Sequence, residues 1–158
     1  MKNDSALFFT CSLIEFIARC QKITVRKVVS SMGKETLRRL YDHADVLHCE
    51  NIAMVADEII TQCAIPVGQS DNTAGCIWDV PDYWTIGEVF SRLIEDISDE
   101  ATQKTSEGSG AVDVTIQVLM EVYASFMAEA IENYNSDLFY QNRQYLAQCY
   151  KIGEILDE

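Results

Sequence analysis

Along this chain the apolar residues recur almost everywhere at helical spacing. Phe9, Leu13, Phe16, Ile17 and Cys20 make one stripe, and Val25, Val28, Val29 and Met32 make a second. A recurrence of i, i+3, i+4 marks a helix that buries one face. Thr24 is placed to cap the second stripe and Gly33 to close it. Leu37, Leu40, Tyr41, Ala44 and Leu47 form a third stripe. Ile52, Val55, Ala56, Ile59 and Ile60 form a fourth, with Asn51 as its cap and Pro66 beyond its end. The β-branched residues within 52–56 leave a strand as the minor alternative there.

The stretch PVGQSDNTAGCIWDVPD, residues 66–82, contains both prolines and interrupts the pattern. The next start is marked by Thr85 and Glu88 as a capping box, with Trp84 and Val89 as the hydrophobic staple. Ile86, Val89, Phe90, Leu93, Ile94 and Ile97 follow at regular spacing. Residues 99–110 are polar and glycine-bearing and read as a loop. A long helix is expected beyond them, carrying Val112, Ile116, Leu119, Tyr123, Phe126, Met127, Ala130 and Tyr134 on one side. Tyr145, Leu146, Cys149 and Tyr150 mark a last helix that Gly153 stops. The pattern predicts an all-α protein of about seven helices in two interlocking halves. These are an N-terminal module 1–65 and an acidic C-terminal module 83–158, joined by a linker 66–82; the alternative is one compact domain.

Charge divides the same way. Residues 1–65 hold eight basic and eight acidic side chains, whereas residues 66–158 hold four basic and seventeen acidic, so the second half carries the net charge of −13. Such a half repels phosphate. The local exception is Arg19 to Arg39, with seven basic residues and one acid, Glu35. Arg26, Lys27, Arg38 and Arg39 are therefore a candidate interaction surface. Read as a helix-turn-helix, the segment puts Arg39 where a recognition helix needs an apolar anchor, so the register fails. A basic face that pairs with the acidic half, or with a protein partner, fits the composition better than nucleic acid does.

Candidate chemistry concentrates in RRLYDHADVLHCEN, residues 38–51, which holds both histidines of the 158-residue chain. At roughly 100° per residue, His48 continues the stripe of Leu37, Tyr41 and Ala44, while His43 points roughly 140° away. One helix cannot aim both rings at one ion. Tyr41, Asp45 and His48 read instead as a structural polar site, with Asp45 accepting an imidazole N–H. The six cysteines include no C-x-x-C pair, and Cys11, Cys20, Cys63 and Cys149 lie on or beside apolar stripes, as free thiols in a reducing cytosol do. No H-E-x-x-H, G-x-S-x-G or phosphate-binding glycine loop is present. No catalytic residue, metal or cofactor is expected. No apolar run approaches the ~20 residues of a membrane span. The apolar start, broken by Thr10, Ser12 and Glu15, reads as the first helix of the fold rather than a leader.

Residues 7–62 resemble a small bacterial all-helical family of unassigned function, whose recurrent signature is a tyrosine-aspartate followed shortly by leucine-histidine. Tyr41, Asp42, Leu47 and His48 match it, and Cys49 stands where that pattern has threonine. The resemblance implies a cytosolic all-α module, sometimes encoded near toxin–antitoxin genes, and supplies no catalytic residue. Two function classes follow. The favoured one is a protein-interaction or regulatory module, acting on a protein partner or by self-association. The alternative is nucleic-acid binding through residues 19–39. The aromatic-rich tail, residues 134–150, reads either as part of such an interface or as a lid on the core.

Overall fold

The computed structural model describes residues 5–104 and 110–156. Among them are eight α-helices and no strand: α1 (Ser5–Gln21), α2 (Val25–Asp42), α3 (Ala44–Leu47), α4 (Ile52–Cys63), α5 (Tyr83–Lys104), α6 (Ala111–Tyr123), α7 (Phe126–Glu132) and α8 (Arg143–Ile152). A 3₁₀ turn, Leu138–Tyr140, precedes α8. The fold is all-α, and residues 52–63 are helix throughout.

α1 is the axis of the molecule. The stripe read from its sequence implied one buried face, but Leu7, Phe9, Cys11, Leu13, Ile14 and Ile17 are buried together with Thr10, Ser12 and Glu15. A helix buried on all sides lies inside its neighbours, and α1 packs against α2, α3, α4 and α5. Thr10 tolerates burial because its hydroxyl donates to the Ala6 carbonyl at 2.8 Å. Cys20, the last member of the expected stripe, is exposed. One continuous apolar cluster draws on α1, α2, α4, α5, α6, α7 and α8.

α1 and α5 come close together at Gly87. A Cβ built on Gly87 would stand 2.7 Å from Ser12 Cα and 2.8 Å from Ser12 N. Backbone cannot move aside as a side-chain tip can, so only glycine permits this contact. It brings Ile86, Phe90, Leu93 and Ile94 of α5 into the core. Phe90 then stacks on Tyr123 of α6, with centroids 4.5 Å apart.

Several boundaries differ from those the sequence suggested. Gly33 was expected to end a helix, and its φ of 78° does break the geometry, but helix resumes at once and α2 runs on to Asp42. α5 starts at Tyr83, two residues before the expected cap. Asp82 Oδ1 accepts the Thr85 N–H at 2.7 Å, and the Asp82 carbonyl accepts that of Ile86. Aspartate is the stronger cap type, so Thr85 falls inside the first turn. Trp84 packs on Phe8, centroids 5.5 Å apart, instead of serving as the expected staple. Residues 99–104 belong to α5, not to a loop, and 105–109 lie outside the described residues.

The single long helix expected over 112–134 is two helices bent by 63°. Neither glycine nor proline marks the break. Ser125 makes it, its Oγ accepting the Met127 N–H at 3.2 Å as the cap of α7. Among the described residues no single helix is long and apolar enough to cross a membrane. The bent pair α6–α7 has sufficient length and apolarity only when taken together, and its Ile116, Leu119, Val122, Met127 and Ile131 are buried in the core.

The Ser12–Gly87 contact yields a direct prediction. Gly87→Ala forces α5 away from α1 and destabilises the protein by about 2–4 kcal/mol, at the upper end of overpacking costs. The comparison is urea unfolding against Gly75→Ala, a position where an added Cβ meets nothing within 4 Å. Equal stability of the two variants would show that the helices slide apart freely.

Candidate interaction site

The segment between α4 and α5 was read as a linker, yet its backbone is tied down along its length. The Gly68 N–H donates to the Gln21 carbonyl at 2.8 Å and the Ser70 N–H to that of Lys22 at 2.9 Å. Lys22 pairs with Asp71 at 2.9 Å. Asn72 donates to the Glu132 carbonyl at 2.6 Å. Asn135 holds the next turn twice, accepting the Ile77 N–H at 2.8 Å and donating to the Gly75 carbonyl at 3.0 Å. Finally, Arg19 Nη2 donates to the Pro81 carbonyl at 2.6 Å.

That last anchor is held by a buried carboxylate. Glu15 is only 2% exposed. Its Oε2 accepts from Arg19 Nε at 3.0 Å and from the Tyr134 hydroxyl, while Oε1 has no hydrogen-bond partner. Arg19 Nη2 also donates to the Tyr134 oxygen at 3.1 Å, and the guanidinium lies 5.3 Å from that ring's centroid. Burial raises the Glu15 carboxyl above its ordinary range, against the lowering effect of Tyr134 and Arg19. Arg19 is thus clamped from one side and reaches Pro81 with the other.

While its backbone is fixed, the segment leaves large apolar side chains outside. Ile77 is 75% exposed, Trp78 63% and Val80 43%, with Trp84 at 38% just beyond. Acidic groups stand among them: residues 66–82 contain Asp71, Asp79 and Asp82 and no lysine or arginine. Asp71 sits well below the carboxylate range, held there by the Thr73 hydroxyl and Lys22. The Thr85 N–H lowers Asp82 in the same way. Both stay ionised near neutrality.

The residues singled out from sequence are placed differently. Arg26 and Lys27 are exposed on the part of α2 before Gly33, and Arg38 and Arg39 lie after it. Arg38 is engaged with its own chain, pairing with Asp42 one turn on and with Asp113 of α6. Lys34, Arg38 and Arg39 border an open groove of about 450 Å³ together with Glu35, Asp42 and Asp113, so acids match the bases of the groove one for one. Arg26 and Lys27 take no part in it.

Tyr41 does not join Asp45 and His48. Tyr41 lines one cavity with α5, whereas Asp45 and His48 border another, of about 370 Å³, with Phe8, Phe9 and Trp84. α3 ends at Leu47, so the stripe does not carry His48 into the core, and its ring is exposed. His48 Nδ1 lies 2.9 Å from the Ala44 carbonyl of its own helix, in place of the expected Asp45 carboxylate. His43 repeats this with the Arg39 carbonyl at 2.9 Å. His48 Nε2 approaches Cys49 Sγ at 3.8 Å. Among the described residues no three His, Cys, Asp or Glu side chains are arranged to hold a metal ion. All six cysteines are free: Cys11 and Cys149 are buried, Cys63 and Cys76 half-buried, and Cys20 and Cys49 exposed.

Comparison with known proteins finds no match for this chain among family models, curated proteins or solved structures.

Glu132 joins the site to the start of α2 and gives it a pH dependence. Its Oε2 accepts the Val25 N–H at 3.0 Å. Burial pushes its carboxyl up to about 7, against the lowering effect of that N–H, with Glu15 and Glu129 adding repulsion. The folded protein therefore binds this proton more tightly than the unfolded chain, whose carboxyl titrates near ~4.3. The stabilisation is complete below that value and is lost as pH rises through about 7. Between pH 5 and 8 the protein is expected to lose about 2–3 kcal/mol relative to Glu132→Gln, which keeps an acceptor for Val25. Parallel stability–pH curves for the two proteins would refute this assignment.

Proposed function

We propose that this chain is a protein-binding module that takes a basic, apolar segment of a partner polypeptide on Ile77, Trp78 and Val80, with Asp79 and Asp82 at its rim. The observation that carries the reading is the contrast within residues 66–82, where the backbone is anchored by hydrogen bonds while the bulky side chains face water. A contiguous exposed apolar patch marks an interaction site more often than scattered surface residues do. Tryptophan is the side chain most enriched among those that dominate binding energy. A fixed backbone removes much of the ordering entropy that a mobile loop would lose on binding.

Charge selects the partner. The carboxylates around the apolar side chains and the net charge of −13 attract lysine and arginine and repel phosphate. Nucleic-acid binding through residues 19–39 is disfavoured further because Arg38 is engaged by Asp42 and Asp113. A regulatory module of the toxin–antitoxin kind, the setting implied by Tyr41, Asp42, Leu47 and His48, would use such a surface to hold a basic protein. The exposed free thiols Cys20 and Cys49 suit a reducing cytoplasm. No catalytic residue or cofactor enters this reading.

Trp78 and Trp84, the two tryptophans of the chain, stand on and beside this surface and report on it by their emission. Titration with a designed amphipathic helix of leucine and lysine is expected to shift tryptophan emission to the blue and to saturate, with affinity falling as salt rises. The matched leucine–glutamate peptide should not bind. Trp78→Ala with Ile77→Ser should weaken the lysine peptide by about tenfold or more, some 1.4 kcal/mol, with the thermal midpoint unchanged. Equal binding of both peptides would overturn the proposal. So would binding that survives this double variant and is lost in Arg26→Ala with Lys27→Ala.

A further inference from the structure

Just beyond α3 a base stands against a nucleophile. Cys49 is an exposed free thiol, and its Sγ lies 3.8 Å from His48 Nε2. The other ring nitrogen decides which form of the imidazole is present. His48 Nδ1 lies 2.9 Å from the Ala44 carbonyl, and a carbonyl oxygen only accepts, so Nδ1 carries the proton. In the neutral ring Nε2 is then a free lone pair facing the thiol. A nucleophile within reach of a base that is itself oriented by a third group is the arrangement of an activated side chain. The thiol's other neighbour, the Asp45 carbonyl at 4.0 Å, can accept a hydrogen bond but cannot take the proton away.

A cavity adjoins the pair. His48 borders a space of about 370 Å³ together with Asp45 of α3, Phe8 and Phe9 of α1 and Trp84 of α5. Three aromatic side chains make its walls largely apolar, which suits an uncharged organic group. Cys20 supplies the contrast. It too is exposed, but partial burial pushes its thiol up and Asp57 adds to the effect. Cys11 and Cys149 are buried, and Cys63 and Cys76 half-buried. Reactive thiols are those that are accessible and stand beside a group that favours the thiolate. Among the described residues, Cys49 is the exposed thiol with an imidazole in contact.

We propose that Cys49 is a nucleophile with His48 as its base, and that it takes up a small organic disulfide whose apolar substituent lies in this cavity. His48 Nε2 accepts the Sγ proton as Sγ attacks one sulfur of the incoming disulfide. The new bond to Sγ forms as the S–S bond of that molecule breaks, and the departing thiolate takes the proton from His48. Cys49 is thereby oxidised to a mixed disulfide, and half of the incoming molecule leaves reduced, as a free thiol. The organic disulfide is itself the oxidant, and excess thiol reverses the step. The imidazolium keeps its Nδ1–H bond to the Ala44 carbonyl throughout, so the ring does not have to turn.

The test is timed labelling at neutral pH with dithiodipyridine, a neutral aromatic disulfide, beside hydroxyethyl disulfide, which carries no ring. Peptide mass spectrometry assigns each adduct to its cysteine. With the aromatic disulfide Cys49 is expected to react about tenfold faster than Cys20. With hydroxyethyl disulfide that preference should shrink. His48→Ala should bring Cys49 close to the Cys20 rate with the thermal midpoint unchanged, and free imidazole should restore part of the loss. A histidine that only shaped the end of α3 would give no such rescue. The proposal is overturned if Cys20 reacts as fast as Cys49, if His48→Ala leaves the Cys49 rate unaltered, or if both disulfides show the same preference for Cys49.

Discussion

Ser12 and Gly87 meet backbone to backbone, and most of the architecture follows from that contact. It brings together two helices more than sixty residues apart in sequence, at a separation that leaves no room for a Cβ on Gly87. Once α5 is seated there, Phe90 reaches Tyr123 and α6 is placed; through Glu95 and Asp96, α5 also fixes Arg143 and therefore α8. Apolar burial supplies the driving force for this packing, but it is indifferent to register. The missing Cβ is what permits the register in which Gly87 lies against Ser12.

The buried Glu15 sets a second constraint, of opposite chemistry. A carboxylate in the core is costly unless hydrogen bonds answer it, and here Arg19 and Tyr134 do so on one oxygen only. That cost comes with a gain in position. Arg19, fixed at both ends, ties Pro81 to α1, and the exposed run from Ile77 to Val80 is held between this anchor and Asn135. The acidic groups at the surface and the acidic group in the core thus act on the same stretch of chain, one by display and one by attachment.

How much of this could be read in the sequence depends on the range of each interaction. The helices were legible because burial imposes a period that survives in the residues themselves: α4, α5 and α8 fall where Ile52–Ile60, Ile86–Ile97 and Tyr145–Tyr150 place them. The break at Ser125 was not, because a serine cap within an apolar run looks like any polar position. Extrapolating the stripe from Leu37 to His48 failed because α3 stops one residue short. Glu15 looked like an interruption of an apolar run, and its role depends on Tyr134, 119 residues away. Arg38 looked like a free cation, and Asp113, which engages it, lies 75 residues on. The surface at Trp78 was hidden for another reason: proline and glycine announce irregular backbone, and irregular backbone was equated with a connector.

The central position of α1 has a consequence for how the chain comes together. α1 ends at Gln21, but the helix that covers its Ser12 face begins only at Tyr83, and Tyr134 arrives later still. During synthesis α1 therefore emerges before α5 and must wait, partly uncovered, for its counterpart. The same separation makes the decisive contacts long-range, which slows folding relative to a bundle of sequential hairpins of similar size. A nascent chain in this state presents Phe8 and Phe16, which later meet Trp84 and Tyr83 of α5, to its surroundings, and chaperone engagement during translation would fall on α1.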